Sequence, residues 1–81
     1  MINIIDTKRK SLIHLYRGES GRIIEILGGT GFRRRLNVLG IREGQIIKIV
    51  SKQPLRGPLT ISVGNSQITI GRGMANKIIV E

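Results

Sequence analysis

The stretch GGTGFRRRLNVLGI, residues 28 to 41, sets Arg33, Arg34 and Arg35 side by side between a glycine-rich entry and a glycine exit. Guanidinium groups recognise carboxylate and phosphate through paired hydrogen bonds, so this run is either an anion grip or a basic face for an acidic protein surface. At about 100° per helical residue the three side chains fan over about 200°, too wide an arc to address one phosphate strand. Arg34 points nearly opposite the apolar stripe of Phe32, Leu36 and Leu39, and Arg35 flanks that stripe with its aliphatic stem along the core. Without a partner the run is a solvated helix face. A groove-reading helix needs base-directed side chains along one face over several turns, and this helix is short.

The remaining chemistry-bearing residues are sparse. GGTG ahead of a helix can offer free amides to an anion, yet the Lys-Ser/Thr of a phosphate loop and the spacing of a dinucleotide fingerprint are missing, so tight-turn geometry accounts for the glycines. The chain has one histidine, His14, no cysteine, and five acidic residues, Asp6, Glu19, Glu25, Glu43 and Glu81, scattered along its length. No set converges at ligand spacing, so no metal site and no cofactor is expected. Nothing pairs for acid–base or nucleophilic chemistry, and the chain does not read as an enzyme. KQPLRGPLT, Lys52 to Thr60, sets Pro54 and Pro58 around Leu55, Arg56 and Gly57. The prolines fix this loop at low entropic cost, and Leu55 at its tip has no core to enter, which makes it a contact candidate.

A length of 81 residues allows one small domain and leaves no room for a deep substrate cleft. The formal net charge of +9 asks for a negative partner, whether nucleic acid, an anionic membrane face or an acidic protein. Tyr16 and Phe32 are the only aromatic residues, too few to stack single-stranded bases, so nucleic-acid binding is expected to be nonspecific, with a small basic nucleic-acid-binding barrel as the alternative function. Asp6, Lys8, Arg9 and Lys10 interrupt the apolar start before a signal-peptide core forms, and no run approaches the roughly 20 apolar residues of a membrane span. Cytoplasm is the default compartment.

The elements that must position these residues follow from period and punctuation. Leu12, Ile13, Leu15 and Tyr16 suffice for a short turn before the breaks at Gly18 and Gly21. Arg22 to Leu27 alternates as a strand with Ile24 and Ile26 inward and Ile23 on the other face beside Glu25. The period then changes to a capped helix from Thr30 to Leu39, with Thr30 as N-cap, Gly40 ending it and Ile41 folding back onto Leu36. Gln45 to Ser51, Leu59 to Val63, Ser66 to Ile70 and Lys77 to Glu81 alternate again, the middle pair joined by a GNS hairpin turn, and GRGMAN holds one 3₁₀ turn. About five short strands and one helix after the first describe a small barrel that closes its own edges.

Taken together, GESGRI, GG, RRRLNVLGI, EG, PLRGPLTISV and ITIGRGMANKIIV closely resemble the FeoA family, small cytoplasmic proteins of bacterial and archaeal ferrous iron uptake. The resemblance runs from about Leu12 to Val80, which makes residues 12–81 the domain and 1–11 a basic N-terminal extension. It implies a mainly β, SH3-like barrel and a non-enzymatic accessory role: binding or modulating the membrane iron transporter FeoB, whose cytosolic part carries a GTPase domain. It also implies an association with transition metal, for which this sequence offers no ligand set. Carried over by position, the family's helix motif falls on Arg33, Arg34, Arg35 and Leu36, its proline loop on Pro54, Leu55, Arg56, Gly57 and Pro58, and its late motif on Gly71, Arg72, Met74 and Ala75. The helix and the loop are the expected partner contacts, and Gly71, Met74 and Ala75 are expected to serve packing. Glu43 stands where the family often has proline, and Gly44 beside it still permits the turn.

Overall fold

A computed structural model describes residues 9–81. In chain order these form β1 (Lys10–Ser11), a 3₁₀ turn (Leu12–His14), β2 (Ser20–Ile26), α1 (Thr30–Val38), β3 (Ile46–Lys52), β4 (Leu59–Val63), β5 (Ser66–Ile70), α2 (Arg72–Ala75) and β6 (Ile78–Val80). The strands make one six-stranded sheet in the order β1-β6-β2-β3-β4-β5, antiparallel throughout.

Isoleucine dominates the inner face because β-branched side chains pack well on a pleated surface. Ile47 and Ile49 of β3, Leu59, Ile61 and Val63 of β4, Ile70 of β5, and Ile78 and Val80 of β6 are all buried. Strict alternation in β4 is the plainest case: its first, third and fifth residues enter the core while Thr60 and Ser62 are only half-buried. Leu12 and Leu15 seal one end of this core. The turn that carries them is held by Lys52, whose Nζ donates to the carbonyls of Ile13 at 2.9 Å and Leu15 at 3.1 Å. No polar side chain is buried among the described residues.

Five expectations from sequence need correction. In β2 it is Ile23, not Ile24, that is fully buried with Ile26, because the register against β6 shifts between Ile23 and Glu25. One extra residue at this bulge puts Ile23 and Ile26 on the same face and leaves Ile24 half-buried. Helix α1 is capped by Gly29 with no side-chain hydrogen bond, so Thr30 is its first residue and Leu39 its C-terminal cap. The GRGMAN segment forms one α-helical turn, α2, in place of a 3₁₀ turn. The hydrogen-bonded sheet does not close on itself: β1 and β5 are its two ends. Lys10 and Ser11, assigned to the extension from sequence, pair with Val80 and Ile79 as the sixth strand; residues 1–8 of that extension lie outside the described residues.

The exit from α1 follows the sequence reading. Gly40 N–H donates to Asn37 C=O at 3.0 Å and Ile41 N–H to Leu36 C=O at 2.9 Å, the paired bonds of a glycine-terminated helix. Ile41 is fully buried.

Candidate functional site

Two separate surfaces carry the residues singled out from sequence. The first is α1. Its inward side is Leu36, which is fully buried and therefore packs the core instead of facing a partner. Phe32 packs half-buried against the same core, with the Lys77 ammonium 4.8 Å from its ring centroid. The glycine entry serves this packing: a Cβ on Gly28 would lie 2.9 Å from Cδ2 of Phe32, at a φ of +119° that side chains rarely adopt.

The outward side of α1 is basic. Arg33 reaches Oε2 of Glu43 at 3.4 Å, and the same oxygen accepts from the Ile26 N–H at 3.3 Å. Glu43 thereby ties the helix to β2 and the turn before β3. Arg34 and Arg35 are exposed and have no ion-pair partner among the described residues. Arg33 and Arg34 border a shallow cleft of about 320 Å³ with Thr30 and Asn37. Val38, four residues after Arg34 and so on the same side of the helix, is 81% exposed. Sequence reasoning missed Val38, although its place off the Phe32/Leu36/Leu39 stripe was the available signal.

The second surface is the loop between β3 and β4. Gln53 N–H donates to Pro58 C=O at 3.0 Å and Gly57 N–H to Pro54 C=O at 3.1 Å, which leaves Leu55 and Arg56 as the central pair of a tight turn. Their φ angles are 58° and 61°, the signs of a type I′ turn, a geometry that favours Asn-Gly and strains residues bearing a Cβ. Leu55 is 97% exposed. Arg56 borders a cleft of about 420 Å³ with Ile13, Arg72, Gly73 and Asn76. No hydrogen bond, ion pair or shared cleft links this loop to α1 among the described residues.

The charge balance makes both surfaces positive. Arg9 pairs with Glu25, and Lys10 with Glu19 at 3.6 Å. The Glu19 carboxylate also accepts the Tyr16 N–H at 2.8 Å, and this bond, with a smaller contribution from Lys10, holds its pKa below the ordinary value. With Glu43 on Arg33, the basic excess is left facing solvent. Among the described residues no group of three His, Cys, Asp or Glu side chains could hold a metal ion, and His14 is exposed on its 3₁₀ turn. The donor set does not fit a resident metal. No helix is long and apolar enough to cross a membrane.

A six-stranded antiparallel sheet with a short helix after its second strand carries two exposed basic surfaces, the architecture of a small SH3-like domain. The FeoA domain model matches residues 10–81, and the chain belongs to the FeoA family. It is 42% identical over 64 residues to an Fe(2+) transport protein A of Methanocaldococcus jannaschii, covering 79% of this chain and 76% of that one. It is similar to the crystal structure of an iron uptake regulatory protein, FeoA, with a TM-score of 0.81, 32% identity and coverage of 90% of this chain and 95% of the other. It also resembles the zinc complex of FeoA from Stenotrophomonas maltophilia, described as a prokaryotic SH3 domain protein, with a TM-score of 0.74, 25% identity and 88% of each chain covered. The family is one of ferrous iron transport, and the mainly β, SH3-like reading of the sequence agrees with these relatives.

Proposed function

We propose that this protein is a cytoplasmic, non-enzymatic accessory of ferrous iron uptake that binds the GTPase-bearing cytosolic part of the transporter FeoB through the outward face of α1. The observation that carries the reading is the pairing of Arg34, exposed and without an acidic partner among the described residues, with Val38 at 81% exposure on the same side of the helix. A basic side chain beside an exposed apolar one is the composition of a protein contact: the apolar group supplies desolvation and the charge steers encounter. Arg33 and Arg35 extend the basic face. The Pro54–Pro58 loop is a second contact, presenting Leu55 from a strained turn.

The test is Arg34→Glu, measured for association rate with the isolated cytosolic part of the transporter. The variant is expected to fold with less than about 1 kcal/mol change in stability, as surface substitutions usually do, and to associate at least tenfold more slowly because the charge an acidic partner meets is reversed. Unchanged rate and affinity would retire the α1 contact and leave the loop. Sequence-selective, submicromolar nucleic-acid binding at physiological salt would overturn the accessory role itself, since attraction to phosphate alone carries no sequence information.

A further inference from the structure

Strand β5 is one end of the sheet, and no strand pairs with its outer edge among the described residues. Its hydrogen-bonding pattern follows from the turn that makes it. Gly64 has a φ of 59° and Asn65 is not among the positive-φ residues, which is the two-residue type II′ turn in which the flanking residues, Val63 and Ser66, exchange both hydrogen bonds. Alternation makes Ile61/Ile68 and Leu59/Ile70 the next bonded pairs and turns the backbone N–H and C=O groups of Gln67 and Thr69 outward. The hydroxyls of Thr60 and Thr69 meet at 2.9 Å, the close side-chain approach of a pair that shares no backbone bonds.

Proteins blunt such edges with lysine, proline, a bulge or shortness. Strand β1, the other end, is two residues long and carries Lys10. Strand β5 has none of these devices: SQITI is uncharged, lacks proline and pairs with β4 over five residues in unbroken register.

The flanks decide what this edge accepts. Gln67 shares a shallow cleft of about 350 Å³ with Arg17 and Lys48, and just past Ile70, Arg72 and Arg56 border the cleft of about 420 Å³. No carboxylate lines either one. A second copy of this chain would bring its own Arg72 and its own positive field to the edge, whereas an acidic strand approaches Arg72 and Arg56 near the Ile70 end of β5 and feels the field of Arg17 and of Lys48, which shares the sheet face of Gln67 two strands in from the edge. We propose that β5 is a strand-addition site for an extended acidic segment of a protein partner. Backbone bonds at Gln67 and Thr69 supply the pairing, and Arg56 and Arg72, with the longer-range field of Arg17 and Lys48, select the charge. The site shares no residue with α1 and stands whether or not the transporter is the partner.

The probe is an end-blocked octapeptide of alternating valine and glutamate, added at millimolar concentration to isotope-labelled protein and followed by amide hydrogen exchange. The Gln67 and Thr69 amides are expected to gain about tenfold protection. The valine–lysine counterpart and an acidic peptide N-methylated at alternate residues should give none. Thr69→Pro removes an outward N–H that β4 does not use, so the hairpin is retained and the peptide response is lost. If that variant fails to fold, the N-methylated peptide makes the same test from the other strand. Equal response to the lysine peptide, perturbation away from β5, or no protection of the two amides would overturn the proposal. Dimerisation of the free protein that Thr69→Pro abolishes would assign the edge to a second copy and overturn the acidic occupant.

Discussion

Replacing Leu55-Arg56 by Asn-Gly should stabilise the protein while stripping its loop of both exposed side chains. The two residues sit at φ 58° and 61°, where a Cβ crowds the following carbonyl at a cost of about 1–2 kcal/mol per residue. Glycine at position 56 removes that strain but adds about 0.4–1 kcal/mol of unfolded-state entropy, and asparagine at 55 is better tolerated there than leucine. Little is lost in exchange, because Leu55 is 97% exposed and touches no core. The net expectation is a gain of about 1 kcal/mol, which for a domain of this size raises Tm by about 4–8 °C. Urea titration and thermal unfolding of Leu55→Asn/Arg56→Gly measure it. Gly57→Ala in the same turn is the control of opposite sign, since its Cβ would fall 2.6 Å from the Gln53 Cβ and 3.2 Å from the Pro54 oxygen. A double variant no more stable than the parent would refute the strain argument. If the loop also contacts the transporter, the stabilised variant binds more weakly, because the side chains that cost stability are the ones the partner touches.

Leu36 is fully buried at the centre of α1, so Leu36→Ala should cost about 2–4 kcal/mol by chemical denaturation; a smaller loss would mean that the helix settles into the gap. The depressed pKa of Glu19 means that its contribution to stability is complete above the ordinary carboxylate value of 4.5 and is lost as the pH falls through the lower folded-state value. Glu19→Gln should flatten the stability profile below that point, and an unchanged acid slope would show that the Tyr16 contact is not held in solution.

Legibility in the sequence tracked how locally each feature is determined. Strand β4 and helix α1 were readable because Leu59, Ile61 and Val63 alternate strictly and Leu36 falls on an i, i+4 stripe, with Gly40 marking the exit. The inward face of β2 was not, because Ile23, Ile24 and Ile26 allow either phase and the bulge that chooses between them is made with β6, some 55 residues further along the chain. Strand β1 is two residues long and exists only through the same distant strand. In the loop, the prolines announced a projection, but nothing in Leu-Arg announces a type I′ turn, whose usual residues are Asn and Gly. The basic face of α1 was visible as charge; the open edge of β5 was not, since being last in a sheet is a property of topology and not of the five residues that form the strand.

The pairing of Lys10 with Val80 has a mechanical consequence. The chain enters and leaves the domain on adjacent antiparallel strands, while on the other side of β6 Arg22 and Glu81 extend the β2–β6 pairing with backbone bonds of 2.9 and 3.0 Å. A pull applied through both ends therefore opens β1 from β6 one rung at a time, like a zipper, instead of shearing all the rungs together. Tension from a tether at one end and a bound partner at the other would release the seam at low force, whereas a load across β3 and β4, paired over most of their length, would meet the stiffest part of the sheet.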